Sequence, residues 1–309
     1  MDNKQITKID KDLLLEIADM HKLPEGSFNI RKNGESILRN SNTDIEIISK
    51  KDKSGIDIII KPNVKNKSVH IPVIITKSNL TELVYNDFYV GENADVTIVA
   101  GCGIHNIGSE KSEHDGLHTF HLAKNSKVKY IEKHLGIGNF GDKILNPETK
   151  VYMDDNTYFE METVQLGGVT SSNRKTYAKL KNNSKLVIKE RILTTGNQTA
   201  KTNFKVDLVG KNSSVDVLSR SVAKDSSKQQ FNSNIIGNNE CFGHVECDGI
   251  IVNNAQIIST PKIDAKNVNA SLVHEAAIGK IAGEQILKLL SLGLTEQEAE
   301  DLIIKGFLQ

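Results

Sequence analysis

An asparagine recurs at a nearly constant interval along most of this 309-residue chain. Each copy sits among small or charged residues and precedes a short run of Val, Ile or Leu, as in 91–96 and 123–128. The intervals are 32, 31, 27, 29 and 27 residues along Asn93, Asn125, Asn156, Asn183, Asn212 and Asn239, and 15 residues along Asn239, Asn254 and Asn269. Because Asn tolerates the left-handed αL conformation and bonds its own backbone, the repeat predicts a turn in every coil of a stacked structure.

Short extended runs rich in Ile and Val precede and fill these intervals. They include 44–49, 55–60, 69–75 and 97–100, and Pro62 and Pro72 punctuate them. No long amphipathic helix separates the runs, which excludes an alternating βαβ fold. Stacked coils would pair the strands in parallel around one continuous core. The sequence therefore predicts a mainly β protein built as a parallel β-helix, and a β-sandwich is the alternative that short strands also allow.

Helical patterns occur near the two ends of the chain. Residues 10–22 have an apolar stripe behind a candidate N-cap at Asp10. Residues 282–292 form a second helical pattern, and Thr295 with Glu298 is a capping box for a third helix.

The two C-terminal helices each have an apolar side that suits a partner protein. The candidate partner-binding residues are Ile286, Leu289, Leu290, Leu302, Ile303 and Phe307. We therefore predict three segments, an N-terminal helical segment, a β-helix core and a C-terminal helical docking segment, at 1–30, 31–270 and 271–309.

The composition limits the classes of partner. Lys and Arg number 39 and balance 39 Asp and Glu, so net charge favours neither nucleic acid nor an anionic membrane. No apolar run approaches the roughly 20 residues of a membrane-spanning helix, and the first residues lack the apolar core of a signal peptide. Three cysteines are too few for a disulfide framework. These features predict a cytoplasmic protein with reduced thiols.

Three donor side chains near the C-terminus form the first candidate site. Cys247, His274 and Glu275 provide a thiol, an imidazole and a carboxylate, which are the groups that bind transition metals in proteins. Each has a structural alternative: a buried core thiol, a structural histidine and a carboxylate stabilised at a helix start.

A second candidate site lies between residues 102 and 121, which contain one Cys and four of the nine His. The candidate metal ligands are Cys102, His105, His114 and His118. Their C-x-x-H and H-x-x-x-H spacings suit a metal ion, either iron on its way to another site or a structural zinc. The alternative is a polar loop with incidental histidines.

Other patterns receive plainer interpretations. Cys241 and His244 repeat the C-x-x-H spacing, and we interpret Cys241 as a packed residue rather than as a sulfur relay to Cys247. The glycines of 136–141 lack the strand–helix context of a dinucleotide site. No G-x-x-x-x-G-K-[ST] motif occurs, so we expect no ATP binding through a P-loop.

The run His-Glu-Ala-Ala-Ile-Gly-Lys-Ile at 274–281 resembles a run of the SufB/SufD family, the scaffold proteins of the SUF iron–sulfur cluster assembly system. The similarity continues through 293–299 and 302–307. Cys247-Asp248-Gly249 stands where the family has Cys-Asp-Ser. The match is specific at this C-terminal end, whereas the remainder matches in architecture.

The resemblance implies a right-handed parallel β-helix on which nascent iron–sulfur clusters are built. Cys247 then corresponds to a cluster-building cysteine, Glu275 to a carboxylate ligand and His274 to a histidine ligand of a transient cluster. The chain is similar to short forms that pair with a SufC-like ABC ATPase docked on the C-terminal helices. The resemblance therefore also implies iron, a homodimer through the β-helix core, sulfur donor and acceptor proteins, and no enzymatic activity of its own.

Two other functions remain open from the residues alone. One is a metal-binding structural solenoid that assembles no cluster. The other is a polysaccharide-active β-helix enzyme, which needs paired carboxylates in an aromatic-lined groove. The absence of Trp and an aromatic content of 5% disfavour the enzyme.

Overall fold

The structure is a computed structural model that describes residues 6–309. Over this range it is mainly β, with one helix before the strands and two after them. The helices are α1 (Lys8–Ala18), α2 (Gly283–Ser291) and α3 (Glu296–Phe307). The strands are β1 (Ser27–Lys32), β2 (Glu35–Asn40), β3 (Ile45–Ser49), β4 (Gly55–Ile60), β5 (Lys65–Ile75), β6 (Leu80–Val90), β7 (Asp95–His105), β8 (Ser112–Leu122), β9 (Lys127–Ile137), β10 (Lys143–Leu145), β11 (Glu148–Met153), β12 (Tyr158–Leu166), β13 (Ser171–Leu180), β14 (Lys185–Thr194), β15 (Thr199–Leu208), β16 (Ser213–Ala223), β17 (Lys228–Gly237), β18 (Cys241–Ile251), β19 (Gln256–Ala265) and β20 (Ala270–Gly279).

The strands wind into a solenoid of about eight turns because successive strands alternate between two sheets. Sheet A has the order β2-β1-β5-β7-β9-β12-β14-β16-β18-β20. Sheet B has the order β19-β17-β15-β13-β10-β8-β6-β4-β3, and β11 pairs with β8 and β13. The hairpins β1–β2 and β3–β4 are antiparallel, whereas the coils that follow pair in parallel. Side chains at equivalent positions of successive coils therefore stack in rows.

One corner of the solenoid carries an asparagine ladder. The six residues of the ladder have φ between +54° and +64°, the αL region that Asn tolerates. They are Asn63, Asn93, Asn125, Asn156, Asn183 and Asn212. The side-chain amide of each donates to the side-chain oxygen of the preceding one at 3.1–3.2 Å. The ladder confirms the solenoid and removes the β-sandwich alternative.

The repeat changes corner near the C-terminus. Asp225 and Asn253 are the αL residues there, and the Asn253 side-chain amide donates to the Asp225 carboxylate at 3.3 Å. The predicted turn positions Asn239, Asn254 and Asn269 do not have positive φ. The 15-residue spacing was therefore wrong as a marker of individual αL residues, because the turns at this end use neighbouring residues.

Apolar side chains of both sheets meet in one continuous core. Its largest members, Phe88, Phe120, Tyr130 and Phe159, are fully buried. The Phe88 and Phe120 rings stack with centroids 4.3 Å apart. Burial of each such ring contributes about 1.5–3 kcal/mol, so the stacked rows supply most of the driving force for coiling.

Helix α1 covers part of the outer face of sheet A. Leu13 and Ile17 pack against Gly101 and Gly103 of β7, where a Cβ on Gly103 would lie 2.9 Å from a Leu13 methyl carbon. The helix begins earlier than predicted, because Thr7 is the N-cap and accepts from the Asp10 backbone amide. Asp10 is therefore the third residue of a capping box and not the N-cap.

One further sequence expectation needs correction. The first helix ends at Ala18 rather than at residue 22, because Asp19 adopts the αL conformation. Pro72 lies inside β5, as the predicted run 69–75 has it. Strand β20 extends past residue 270, the predicted end of the core. The division into three segments stays a prediction.

The C-terminal end of the solenoid is open. Within residues 6–309, β19 pairs only with β17, and β20 pairs only with β18, so each has one unpaired edge. Helices α2 and α3 follow, and the predicted capping box of Thr295 and Glu298 is confirmed. Ala299 and Ile304 of α3 are buried. No helix in the described part of the chain is long and apolar enough to cross a membrane.

Candidate functional site

Strand β18 alternates between the two faces of sheet A. Its residues Cys241, Val245 and Cys247 face the solenoid interior and are buried. The residues between them face outward, and among these His244 lies 3.1 Å from an Asp216 oxygen. Cys241 and His244 therefore lie on opposite faces. Cys241 is part of the apolar core, which agrees with its interpretation as a packed residue.

Strand β20 continues this alternation in the last coil. His274 is opposite Val245 and Ala276 is opposite Cys247, so the imidazole and the thiol share the inner face. Glu275 is opposite Glu246, which places its carboxylate on the outer face. The structure thus brings Cys247 and His274 to one face within one chain and places Glu275 on the other.

The Cys247 thiol is fully buried in the apolar core. Its solvent exposure is 0%, and burial raises its pKa to about 11, with Glu190 and Asp248 acting in the same direction. The Ser259 hydroxyl faces the thiol and works against this rise, although its geometry falls short of a hydrogen bond. A thiol of this kind becomes a thiolate readily only when a cation, such as iron, compensates the charge.

Two polar atoms at this end are buried without a partner in residues 6–309: Nε2 of His274 and Oγ of Ser259. Burial also lowers the pKa of His274, with His244 adding to the effect, so the neutral ring has a lone pair to offer. Buried polar atoms are nearly always bonded, so these two unpaired atoms on the last coil favour a group that comes from outside this chain.

The inner face of the last coil is partly open to solvent. Ile263 of β19 and Ile278 of β20 occupy interior positions, yet they are 43% and 37% exposed. In the preceding coils the equivalent positions are covered by the next coil. The thiol and imidazole therefore lie under an uncovered apolar surface.

The predicted partner-binding residues lie on helices that are only loosely covered. Leu302 is 51% exposed and Leu290 36%, whereas four others are half-buried: Ile286, Leu289, Ile303 and Phe307. Helix α2 has no buried residue. The sequence interpretation missed the two most exposed leucines of this region, Leu287 within α2 at 65% and Leu292, the C-cap of α2, at 71%.

Helix α3 is fixed to the solenoid by polar contacts at both ends. Lys224 forms an ion pair with Glu300 at 2.8 Å. The Arg220 guanidinium donates to the Phe307 backbone carbonyl at 3.3 Å and lies 5.8 Å from its ring centroid. These contacts connect α3 to β16, which pairs with β18.

The second candidate site is interior and more compact than its sequence suggested. Cys102, His114 and His118 line one small internal space of about 10 Å³ together with Glu132 and His134. A space of this size holds about one water molecule. His105 is at the end of β7 on the outward side and does not join them.

Buried charged side chains form a network in the solenoid interior beside this space. Burial alone would raise the pKa of Glu132, but Arg174 and His134 hold it well below its usual value. The Glu190 carboxylate accepts from Thr202 and Ser219, each at 2.9 Å, and burial raises its pKa.

No group of three or more His, Cys, Asp and Glu side chains within residues 6–309 is arranged to hold a metal ion. This holds for both candidate sites in a single chain. Metal binding at Cys102, His105, His114 and His118 therefore stays a prediction, as does the three-residue set at 247, 274 and 275.

Sequence reasoning missed the serines and the carboxylate around Cys247. Ser219 is directly opposite Cys247 in the neighbouring strand and bonds to Glu190. Ser259 approaches from the other sheet. Only the solenoid register brings these residues together, because they are far apart in the sequence, although the roughly 30-residue interval is one signal that would have predicted such rows.

Comparison with known proteins assigns the family. Residues 74–307 match the family described as "SUF system FeS cluster assembly, SufBD core domain". An iron–sulfur cluster assembly SufBD family protein of Methanothermobacter thermautotrophicus is 28% identical over 242 residues, which are 76% of this chain and 57% of that protein. A family protein of Methanocaldococcus jannaschii is 28% identical over a region that covers 81% of this chain and 79% of that protein. One of Archaeoglobus fulgidus is 27% identical over 91% of this chain and 73% of that protein.

The chain thus spans little more than half the length of the first of these relatives and most of the other two. The family match begins at β5 and includes β20, α2 and α3, so it covers both candidate sites and the open end. The protein belongs to the SufBD family of iron–sulfur cluster assembly proteins.

Proposed function

We propose that this protein is a scaffold on which nascent iron–sulfur clusters are assembled at the open C-terminal end of the solenoid. The observation that carries the proposal is the inner-face pair of Cys247 and His274, where the imidazole Nε2 is buried without a partner. A thiolate and a neutral imidazole are both ligands for iron–sulfur clusters. Family membership favours this function over a storage solenoid or a polysaccharide enzyme.

A second copy of the chain completes the site in this proposal. The unpaired edges of β19 and β20 and the exposed Ile263 and Ile278 form a surface that a copy of itself can cover. Glu275 faces outward on the same edge strand and so lies at the junction of the two copies. Cluster, thiol, imidazole and carboxylate then meet at a dimer interface, where a carboxylate ligand keeps the cluster labile enough to transfer.

A SufC-like ABC ATPase is the proposed partner of α2 and α3. Exposed leucines on α2 supply the apolar contact, and the fixed ends of α3 supply a connection to β16. Movement of the ATPase would shift β16 and β18 together, and Cys247 would become accessible to iron and to a sulfur donor. An acceptor protein would then remove the cluster.

Anaerobic reconstitution with ferrous iron and sulfide tests the site. We expect wild type to bind both iron and sulfide and to develop visible absorbance. Cys247→Ala should bind at least about tenfold less iron and sulfide, because mutation even of a residue that only supports a metal ligand lowers metal affinity about tenfold. Cys241→Ala is the matched control, because Cys241 is on the same strand and the same face. Equal iron and sulfide in the Cys247 and Cys241 variants would contradict the proposal.

The same assay tests the second candidate site. Cys102→Ala should lower bound iron without abolishing the chromophore if Cys102, His114 and His118 hold iron before assembly. Iron content equal to that of wild type would remove this site from the function.

Truncation after Gly279 tests the docking claim. The solenoid should keep its β circular dichroism spectrum, because its core lies in the preceding coils. Binding to the cognate ATPase, measured by calorimetry, should disappear. Leu287→Asp with Leu292→Asp is the finer variant, and unchanged affinity in both would contradict docking on these helices.

A further inference from the structure

Tyrosines concentrate on the outer face of sheet B. The chain has six Tyr and no Trp. Four of the six face outward from β6, β11 and β13: Tyr85, Tyr89, Tyr152 and Tyr177. This surface lies on the sheet that carries neither α1 nor the Cys247 strand. Cluster assembly as proposed above makes no use of it.

The rings form a ladder across successive coils. Ile59, Tyr89, His121 and Tyr152 are in register on β4, β6, β8 and β11. The Tyr89 and His121 rings stack at 5.1 Å and 7°, and those of His121 and Tyr152 at 5.5 Å and 15°. Tyr177 lies beside the row, two residues out of register, with its ring edge-on at 6.1 Å from Tyr152. Ile59, Tyr89, His121 and Tyr152 line a groove of about 620 Å³ in which Tyr89 is 43% exposed.

The same face becomes basic toward β13 and β15. Lys175, Lys179 and Lys205 are exposed there, and no carboxylate of the described chain pairs with them. Two nearby carboxylates are paired with other lysines, Asp154 with Lys181 and Glu148 with Lys150. Asp207 is opposite Lys179 and accepts from the Tyr177 hydroxyl, so it keeps its negative charge. The surface therefore has an apolar half and a half in which lysines outnumber the unpaired carboxylate.

The ring geometry decides what kind of partner fits. Most ring faces are in use, since neighbours in the ladder cover one another, Lys53 lies 4.4 Å above Tyr85 and Lys205 lies 5.6 Å above Tyr177. A base or a sugar needs a free ring face for stacking. The ladder instead presents ring edges, which carry partial positive charge and add to the lysines.

The dimensions suit an extended segment. The residues of this surface lie on six adjacent strands from β4 to β15, and strands spaced about 4.8 Å apart give a length of roughly 24 Å. An extended peptide of about seven residues spans this distance. Excess positive charge at one end favours negative charge on the occupant.

We propose that this outer face of sheet B is a docking surface for a protein segment with one apolar half and one acidic half. The apolar half lies in the groove along Tyr89 and Tyr152, and the acidic half pairs with Lys175, Lys179 and Lys205. The surface is separate from the open end and from α2 and α3, so it is available while those are occupied.

Fluorescence anisotropy with a defined probe tests the proposal. The probe is a labelled peptide with Leu and Phe in one half and Glu in the other, and its matched control replaces each Glu by Gln. We expect the Glu peptide to bind at low salt. Affinity should fall about tenfold or more in Lys179→Glu/Lys205→Glu and in Tyr89→Ala/Tyr152→Ala.

A matched variant separates this face from general charge effects. Lys127 and Lys185 flank Tyr158 on the outer face of sheet A, so Lys127→Glu/Lys185→Glu makes the same charge change elsewhere. This variant should bind the peptide within about twofold of wild type. Because these lysines are exposed, both charge variants should fold, and thermal melts check this.

Four outcomes would overturn the proposal. One is equal binding of the Gln and Glu peptides, and another is equal loss of affinity in the sheet A variant. The third is tight binding of single-stranded oligothymidylate that the Tyr89→Ala/Tyr152→Ala variant loses, which would make the face a nucleic-acid surface. Absence of any peptide binding to wild type would also overturn it.

Discussion

The middle of the solenoid and its C-terminal end bury similar polar groups with opposite results. In the middle, Glu132 is paired with Arg174, and Glu190 accepts from two hydroxyls. At the end, His274 Nε2 and Ser259 Oγ have no partner in the described chain, and interior isoleucines are exposed. Buried groups that are satisfied internally stabilise a fold, whereas unsatisfied ones beside an open surface point to an outside partner.

Unpaired buried atoms also occur outside this end, for example on Glu82 and His114. Some of them line small spaces, since Thr163 and Gln165 lie beside a space of about 10 Å³. One water molecule fits such a space and can bond them. The end differs because its unpaired atoms lie beside exposed interior residues, and four experiments test this contrast.

The largest expected effect is on the closed middle. Arg174→Met leaves the Glu132 carboxylate buried without its guanidinium, which should lower the free energy of unfolding by about 3–5 kcal/mol. Urea denaturation followed by circular dichroism measures this value. Bound iron and sulfide per folded chain should change far less than stability, because Arg174 lies on β13 and reaches the Cys247 strand only through Glu190 and Ser219.

A double variant is the control for this experiment. Arg174→Met/Glu132→Gln removes both charges, so it should recover much of the lost stability if the cost arises from an unpaired charge. A change below about 1 kcal/mol in the single variant would mean that the network is not structural, and the comparison would fail on that side.

The second expected effect is a pH dependence that also comes from the middle. Burial lowers the pKa of His118 to about 4, whereas it lies near 6.5 in the unfolded chain. The unfolded chain therefore takes up a proton that the folded chain refuses as pH falls below 6.5. The contribution of His118 to the free energy of unfolding is fully present above pH 6.5. It decreases by roughly 3 kcal/mol as the pH falls toward 4.

His118→Gln isolates this contribution. Its side chain keeps polar groups near Asn86 and the Tyr130 hydroxyl, which the imidazole contacts at 3.2 and 2.7 Å. The slope of unfolding free energy between pH 6.5 and 4.5 should become shallower than in wild type, while the difference between the two proteins stays constant from pH 7 to 8.5. Parallel curves throughout would show that His118 is not held neutral.

The fold was largely predictable because its main signal is local and repeated. An αL turn residue is needed once per coil, and Asn meets that need at Asn93, Asn125 and Asn156 without help from distant residues. The details that failed are element ends. The apolar pattern continues to residue 22, but the first helix ends at Ala18 because Asp19 adopts the αL conformation.

The candidate site was less predictable for the same reason. Cys247 and His274 were identified by residue type and family resemblance, but which face each occupies follows from the register of β18 with β20. A shift of one residue would have put Glu275 inside and His274 outside. Ser219 and Ser259 carry no distinguishing sequence signal, so only the stacked coils reveal them.

The third expected effect concerns the open end. Ile263→Lys/Ile278→Lys places charge on the uncovered inner face of the last coil. If two copies meet there, sedimentation should show a dimer for wild type and at least about tenfold weaker self-association for the variant. The stability of the monomer should change little, because both residues are already about two-fifths exposed. A wild-type monomer at all concentrations would contradict the proposed interface.

The smallest expected effect comes from the corner that carries the asparagine ladder. The experiment measures how much this corner contributes to the free energy of unfolding. Asn156 has φ +59° and bonds to Asn125 and Asn183 through its side chain. Asn156→Ala loses both bonds and keeps a Cβ in the αL region without the polar side chain that makes Asn tolerant of it, at a cost of about 1–2 kcal/mol. Asn156→Gly loses the same bonds without that strain, so it should cost less than Ala. Urea denaturation of the pair separates the two terms: equal losses would mean that the ladder bonds dominate, and a larger loss for Gly would mean that backbone entropy outweighs αL strain at this corner.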